Sequence, residues 1–181
     1  MSFLSSPVKS IQRRSITIAG LSSSNTDLIT VVDLTSSVIN FLGARSAGTA
    51  LKSVQTVARA ELTNSTTITA YHLPLTVDTD STTVSLEIVE FFPFMVKLTQ
   101  RGFIALPIAS GTISKVITSV NIAKSLVFFS GTEVTDGGTE YRSPGDDAIA
   151  LELVDSTHLV ATRNAAAFHA LKVGYSVVEF K

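Results

Sequence analysis

The chain has 181 residues, of which 45% are hydrophobic and only 16% are charged, and its net charge is −1. This even balance gives no basic face, which argues against nucleic acid and anionic membranes as partners. The absence of cysteine excludes disulfides, thiolate metal sites and thiol nucleophiles, and no apolar run approaches the roughly 18 to 20 residues that span a bilayer.

In the first half of the chain, alternation of polar and apolar residues predicts half-buried strands at 15–18, 67–70 and 83–88. The β-branched residues that dominate these segments pack well on a pleated sheet. Gly, Ser and Asn between 20 and 25 predict a turn. Residues 44–58 contain helix formers but no convincing cap, so we expect at most a short helix or a loop there.

The apolar connector Phe-Pro-Phe-Met at 92–95 leads into the second half. So short a connector predicts close packing of whatever it joins. Alternation predicts strands at 116–120 and 148–153, and the Asp-Gly dipeptide at 136–137 predicts a hairpin turn of type I′. An alanine-rich stretch at 163–171 predicts at most another short helix or a loop.

Much of the sequence occurs twice. The segment Val-Lys-x-x-Gln-Arg at 8–13 returns 88 residues later at 96–101, and the apolar strand at 84–91 returns at 173–180. Other equivalent pairs are Val32 and Val120, Asp33 and Asn121, Ser37 and Ser125, Gly43 and Gly131, and Glu61 and Glu152. A period near ninety residues is that of a whole small domain rather than that of a solenoid.

The repeat therefore predicts two tandem homologous domains, residues 1–92 and 93–181, that arose by internal duplication. Short strands at regular spacing with turn signals between them indicate the all-β class, and each domain is expected to be a β-sandwich or barrel-like.

The repeated Gln-Arg pair is the most informative polar feature, and it comprises Gln12 and Arg13 in one copy and Gln100 and Arg101 in the other. A planar guanidinium suits fixed carbonyl or carboxylate partners, including partners on a neighbouring subunit. The alternative is a bond within each domain that ties the first strand to the last, through the recurring Glu90 or Glu179. Both interpretations stay open.

Few residues point to chemistry. The three histidines, His72, His158 and His169, have no metal-binding spacing, and the acidic pairs at 146–147 and 78/80 lack the rest of a calcium loop. No nucleophile elbow, phosphate-binding loop or dinucleotide motif occurs. We therefore expect no enzyme activity, no metal and no cofactor.

Four segments carry a resemblance: Val-Lys-Ser-Ile-Gln-Arg at 8–13, the Ile-Thr-Ile strand at 16–18, Ser-Val-Asn-x-x-Lys-Ser at 119–125 and Tyr-x-Val-Val-Glu-Phe at 175–180. They resemble small repeat modules in tailed-bacteriophage structural proteins. The first copy departs from the pattern at Arg14, where the second has Gly102, and at Asp33 in place of Asn121.

The resemblance implies a virion component: a tail, fibre or adaptor module, or a capsid decoration protein. Its implied partners are other copies of itself and other virion proteins, and its implied location is the virion. The competing interpretation is an adhesin module that binds host-surface glycans, although the chain has no Trp and only three Tyr to form a sugar-stacking face.

Overall fold

A computed structural model describes residues 6–47, 57–73, 80–108, 110–135, 148–163 and 169–181. The predicted hairpin turn at 136–137, the acidic pair at 146–147 and most of the two helix candidates lie outside the described residues.

The described residues of the first half of the chain form six strands: β1 Val8–Ile18, β2 Ser24–Leu28, β3 Ser37–Ser46, β4 Ala58–Asn64, β5 Thr67–His72 and β6 Thr82–Phe91. A 3₁₀ turn at Leu34–Ser36 precedes β3, and the Asp33 side chain caps it by accepting from the Thr35 N–H. This capping bond satisfies an amide that would otherwise have no partner.

In the second half, the part of the chain that the structure describes also contains six strands: β7 Val96–Leu106, β8 Thr112–Val116, β9 Ser125–Val134, β10 Ala150–Leu153, β11 His158–Thr162 and β12 Leu171–Phe180. A 3₁₀ turn at Ile122–Lys124 precedes β9 and is capped by Asn121. We call residues 1–92 the N-terminal half and residues 93–181 the C-terminal half.

All the strand pairs are antiparallel, and the described strands form three sheets: β1-β6-β3, β10-β11-β8 and a six-stranded sheet β2-β5-β4-β9-β12-β7. The prediction of an all-β protein is confirmed, and the fold is β-sandwich-like. In each half the strands supply their inward-facing apolar residues to one core, as the two-residue period of a strand requires.

The two halves match strand by strand. In the N-terminal half Ser10 lies opposite Glu90, and in the C-terminal half Leu98 lies opposite Glu179, with a register shift beside each pair. A second irregularity interrupts the pairing of β3 with β6 and of β9 with β12, next to a glycine of positive φ in each half, Gly43 and Gly131. Glycine suits both bulges because it has no Cβ to oppose positive φ.

The strand predicted at 116–120 is wrong beyond Val116. Residues 117–120 are irregular because their amides bind outside a ladder: the Ile117 N–H donates to the Thr157 carbonyl and the Val120 N–H to the Ser156 carbonyl. Ile117 and Val120 are nevertheless buried. Val116, in contrast, is 71% exposed, so the buried positions 117 and 120 do not follow the two-residue period of a strand.

Candidate functional site: the junction between the halves

Glu90 ties three parts of the N-terminal half together. Its Oε1 accepts from Lys9 Nζ at 2.9 Å and from the Asp33 N–H at 3.0 Å, and its Oε2 accepts from Ser10 Oγ at 3.0 Å. Burial alone would raise the pKa of this carboxyl, but the bonds from Lys9, Asp33 and Ser10 outweigh burial and lower the pKa. Glu90 thus joins the first strand, the last strand and the 3₁₀ turn.

Glu179 repeats this arrangement with one donor missing. It accepts from Lys97 Nζ at 2.8 Å and from the Asn121 N–H at 3.1 Å, and the bond from Lys97 is the largest effect that lowers its pKa. Its buried Oε2 has no hydrogen-bond partner among the described residues. The reason is a single replacement, because Leu98 stands where the N-terminal half has Ser10.

Gln12 and Gln100 each bind a backbone unit in their own half. Gln12 Nε2 donates to the Thr30 carbonyl at 2.9 Å, and its Oε1 accepts from the Thr30 N–H at 2.9 Å. Gln100 makes the same two bonds to Thr118, at 2.8 and 2.6 Å. Each primary amide thus acts like one rung of a β-ladder and holds the loop before the 3₁₀ turn against the first strand.

The two arginines of the motif bind different partners. Arg13 Nε donates to Glu87 Oε1 at 2.9 Å in its own half, whereas Arg101 Nη1 donates to the Ser37 carbonyl of the other half at 2.8 Å. Across the strand pair Arg13 faces Glu87, but Arg101 faces Ser176, which offers no carboxylate. Arg101 therefore reaches across the junction.

A second arginine crosses the junction from the other side. Arg59 of β4 is only 5% exposed, and it pairs with Glu61 at 2.7 Å and with Glu133 of the C-terminal half at 3.1 Å. Its guanidinium carbon lies 4.6 Å from the centre of the Tyr71 ring and 5.6 Å from that of Phe103. Burial would raise the pKa of Glu61, but the bonds from Arg59 and Tyr71 lower it. The cluster holds β4 against the C-terminal half.

Close backbone contact accompanies this cluster. Arg59 of β4 pairs with Gly131 of β9, which joins strands of both halves in the six-stranded sheet. A Cβ on Gly131 would clash with the Ala58 carbonyl oxygen and lie 2.9 Å from Arg59 Cα, whereas a Cβ on Gly43 would meet nothing within 4 Å. Because Gly131 has no side chain, β4 of the N-terminal half can pack directly against it.

An apolar groove of about 580 Å³ opens at the same junction. Its walls come from both halves and from the connector, and they consist of Pro7, Val8, Ile11, Val89, Phe91, Met95, Leu126, Phe128 and Phe180. Phe91 and Phe180 meet edge to face with ring centres 5.2 Å apart. Ile11 is 49% exposed and Leu126 53% exposed. A groove walled only by apolar side chains is typical of a surface that another apolar surface covers.

A polar cleft of about 300 Å³ lies elsewhere along the junction. Its lining includes two guanidinium groups, a carboxylate and a tyrosine, contributed by Arg59, Arg101, Glu61 and Tyr175. Burial raises the pKa of the Tyr175 hydroxyl, which keeps it neutral. The cleft offers both donors and acceptors to a polar ligand.

The histidines lie on different elements: His72 in β5, His158 in β11 and His169 shortly before β12. His72 is buried, neither ring nitrogen has a hydrogen-bond partner among the described residues, and burial lowers its pKa. His158 Nδ1 lies 2.9 Å from Asp155, whose pKa falls to about 2 because of its bonds from the Thr157 N–H and from His158. His169 is buried.

No group of three or more His, Asp or Glu residues that could hold a metal ion occurs among the described residues. Within the same part of the chain, no helix has the length and hydropathy that crossing a membrane requires.

Sequence reasoning did not find Arg59 or the groove. Arg59 belongs to neither copy of the repeated motifs, and its only signal is a charged residue between Ala58 and Ala60 in an alternating segment. The signal for the groove is the apolar connector together with Ile11, which stands where the second copy has Thr99. No family model, curated protein or solved structure matches the chain.

Proposed function

We propose that the protein is a non-enzymatic structural component of a bacteriophage virion, either a tail, fibre or adaptor module or a capsid decoration protein. In this proposal it assembles with virion partners through its apolar groove. The observation that carries the proposal is that groove, about 580 Å³ in volume and lined only by apolar side chains. The resemblance of the repeated segments to phage structural modules is the reason for proposing a bacteriophage virion as the particle.

The chemistry of the groove favours assembly over catalysis. Apolar area removed from water stabilises an interface by roughly 25 cal/mol per Å², before the cost of association is subtracted. The buried charges nearby are already paired, as in the bond between Glu90 and Lys9. A carboxylate that is paired in this way stabilises the fold and is not available as a general acid or base.

We further propose that residues 1–92 and 93–181 are homologous β-sandwich domains that arose by internal duplication. The support is the shared strand order, the register shifts at equivalent places and the positive-φ glycines Gly43 and Gly131. A duplicated domain gives one chain two equivalent surfaces, which suits attachment to a symmetric ring or lattice.

Mass spectrometry of heads and tails separated from purified virions tests the assignment. We expect the chain in one fraction at a copy number that fits a symmetric ring or lattice. Leu126→Asp, which places a charge in the groove, should abolish incorporation. Leu28→Asp is the matched control, because Leu28 is 74% exposed and lies outside the groove. A chain absent from virions, or incorporated equally well with Leu126→Asp, would refute the proposal.

The polar cleft favours one alternative, an adhesin module that binds host-surface glycans. Arg101 would donate to sugar hydroxyls or carboxylates there, and Glu61 would accept from sugar hydroxyls, in a cleft of about 300 Å³. A glycan array separates the two functions. Selective binding that Arg101→Ala abolishes favours the adhesin, and the absence of selective binding favours the structural component.

A further inference from the structure

The halves meet through two different faces, so their contact is of the head-to-tail kind. The N-terminal half presents Thr35, Ser37 and Val38, which we call the acceptor face. The C-terminal half presents Thr99 and Arg101 of β7, which we call the donor face. Thr99 Oγ1 donates to the Thr35 carbonyl and Arg101 Nη1 to the Ser37 carbonyl, both at 2.8 Å.

Each face recurs in the other half, where it is uncovered. The second acceptor face consists of Ala123, Ser125 and Leu126, and the second donor face consists of Ile11 and Arg13. Val38 is fully buried by the junction, whereas its equivalent Leu126 is 53% exposed. Ile11 is 49% exposed, and the Arg13 side chain is 77% exposed. The chain therefore carries an unused copy of each side of its own internal contact.

The residue changes on the two free faces complement each other. Ile11 and Ala123 replace Thr99 and Thr35, so an apolar pair stands in place of a polar pair. The arginine is retained as Arg13. An apolar pair suits a contact that must form between separate molecules, because its burial favours association.

The charge changes are complementary as well. Glu87 of the N-terminal half stands where the C-terminal half has Ser176, and Lys124 stands where the N-terminal half has Ser36. Lys124 thus adds a positive charge beside the free acceptor face, and Glu87 adds a negative charge beside the free donor face, where it accepts from Arg13 Nε and Asn40 Nδ2. Complementary charges of this kind select a partner and its orientation.

We propose that a second copy of this chain covers the groove by repeating the internal contact between molecules. The donor face at Ile11 and Arg13 of one copy docks on the acceptor face at Ala123 and Ser125 of the other. A terminal nitrogen of Arg13 donates to the Ser125 carbonyl, as Arg101 does to Ser37. This nitrogen has no bond among the described residues, because Arg13 binds Glu87 through Nε.

Two copies related by a two-fold axis satisfy both free faces of both chains. Ile11 and Leu126 line the same groove, so one partner covers the two faces together. The inference rests on the proposed assembly function and names the partner of its groove. In such a dimer the four halves form a closed ring. Each half contacts the next through a donor face and an acceptor face, with two of these contacts within chains and two between chains.

The cysteine-free chain allows a direct cross-linking test. Ile11→Cys and Ala123→Cys are made in separate molecules, mixed and mildly oxidised. We expect a disulfide-linked pair in the mixture and none with either variant alone, because the donor face meets the acceptor face and not itself. Thr35→Cys with Thr99→Cys in one chain is the positive control for the internal contact. Ile11→Cys mixed with Leu28→Cys is the negative control.

Sedimentation measures the strength of the pair. Arg13→Ala removes a hydrogen bond from a charged donor, so we expect the dissociation constant to rise about tenfold. Arg45→Ala, an exposed arginine outside the groove, should leave it unchanged. A protein that stays monomeric at high concentration overturns the inference, as does association without the mixed cross-link or cross-linking of Ile11→Cys to itself. Incorporation into virions by a monomeric protein would leave the proposed function standing.

Discussion

Alanine at the two bulge glycines tests how the halves are joined. Gly43 and Gly131 occupy equivalent bulges with φ of +140° and +96°. An L residue forced to such φ costs on the order of 1–3 kcal/mol. At Gly43 nothing lies within 4 Å of the added Cβ, so this strain is the whole expected loss for Gly43→Ala.

Gly131→Ala should cost more, because the added methyl clashes with backbone of β4. The Ala58 carbonyl oxygen and the Arg59 Cα, 2.9 Å away, must both move. Overpacking of this kind typically adds about 1–3 kcal/mol. We therefore expect Gly131→Ala to lower the free energy of unfolding by about 2–6 kcal/mol, which exceeds the loss for Gly43→Ala by the cost of moving β4.

Urea unfolding followed by far-UV circular dichroism measures both losses, since the chain has no tryptophan to report by fluorescence. Amide exchange of β4 provides a second measurement, and it should accelerate in Gly131→Ala and not in Gly43→Ala. Equal losses of stability for the two variants, with unchanged exchange in β4, would refute the packing of β4 against Gly131.

Three further predictions concern single polar groups. Ser10→Ala removes the donor to Glu90 Oε2, so we expect a loss of about 1–3 kcal/mol in urea unfolding; no loss would show that Glu90 does not need this bond. Gln12→Ala and Gln100→Ala each remove two bonds to an exposed backbone unit and should cost about 1–2 kcal/mol apiece; clearly unequal losses would contradict the matching geometry. His72 has a lowered pKa in the folded protein, so the unfolded chain binds a proton more readily, and stability is lost as the pH falls below the unfolded value of 6.5. Unfolding measured from about pH 8 to about pH 5 should show this loss in the parent and a flatter profile in His72→Leu; identical profiles would mean that His72 is not buried neutral.

The all-β class was predictable because alternation is a local signal. The residues of the predicted strands at 15–18 and 83–88 lie in β1 and β6, where each side chain reports its own burial. The irregular stretch at 117–120 was not predictable. Its isoleucine, threonine and valine are β-branched, as strand residues often are, yet the Gln100 side chain and the carbonyls of residues 156 and 157 accept from its amides.

The hydrogen-bond partners of the repeated polar residues could not be predicted from the sequence either. Recurrence marked Gln12, Arg13 and Glu90 as equivalent in the two halves, but it left open whether the arginine binds within its own domain or to a neighbouring subunit. Glu90 accepts from Lys9, and Arg13 binds Glu87 instead. These partners depend on strand register, and a shift of one residue would move every side chain to the opposite face.

Equivalent positions with unlike neighbours explain how one repeated pattern gives two different halves. Arg13 stays within its own half because Glu87 lies opposite, and Arg101 crosses to Ser37 because Ser176 lies opposite. Each such change alters one partner and leaves the backbone in register. The internal junction therefore forms without any change of backbone between the halves. The equivalent faces that it leaves exposed, at Ile11 and Leu126, keep the same backbone shape, which the proposed second copy of the chain would contact.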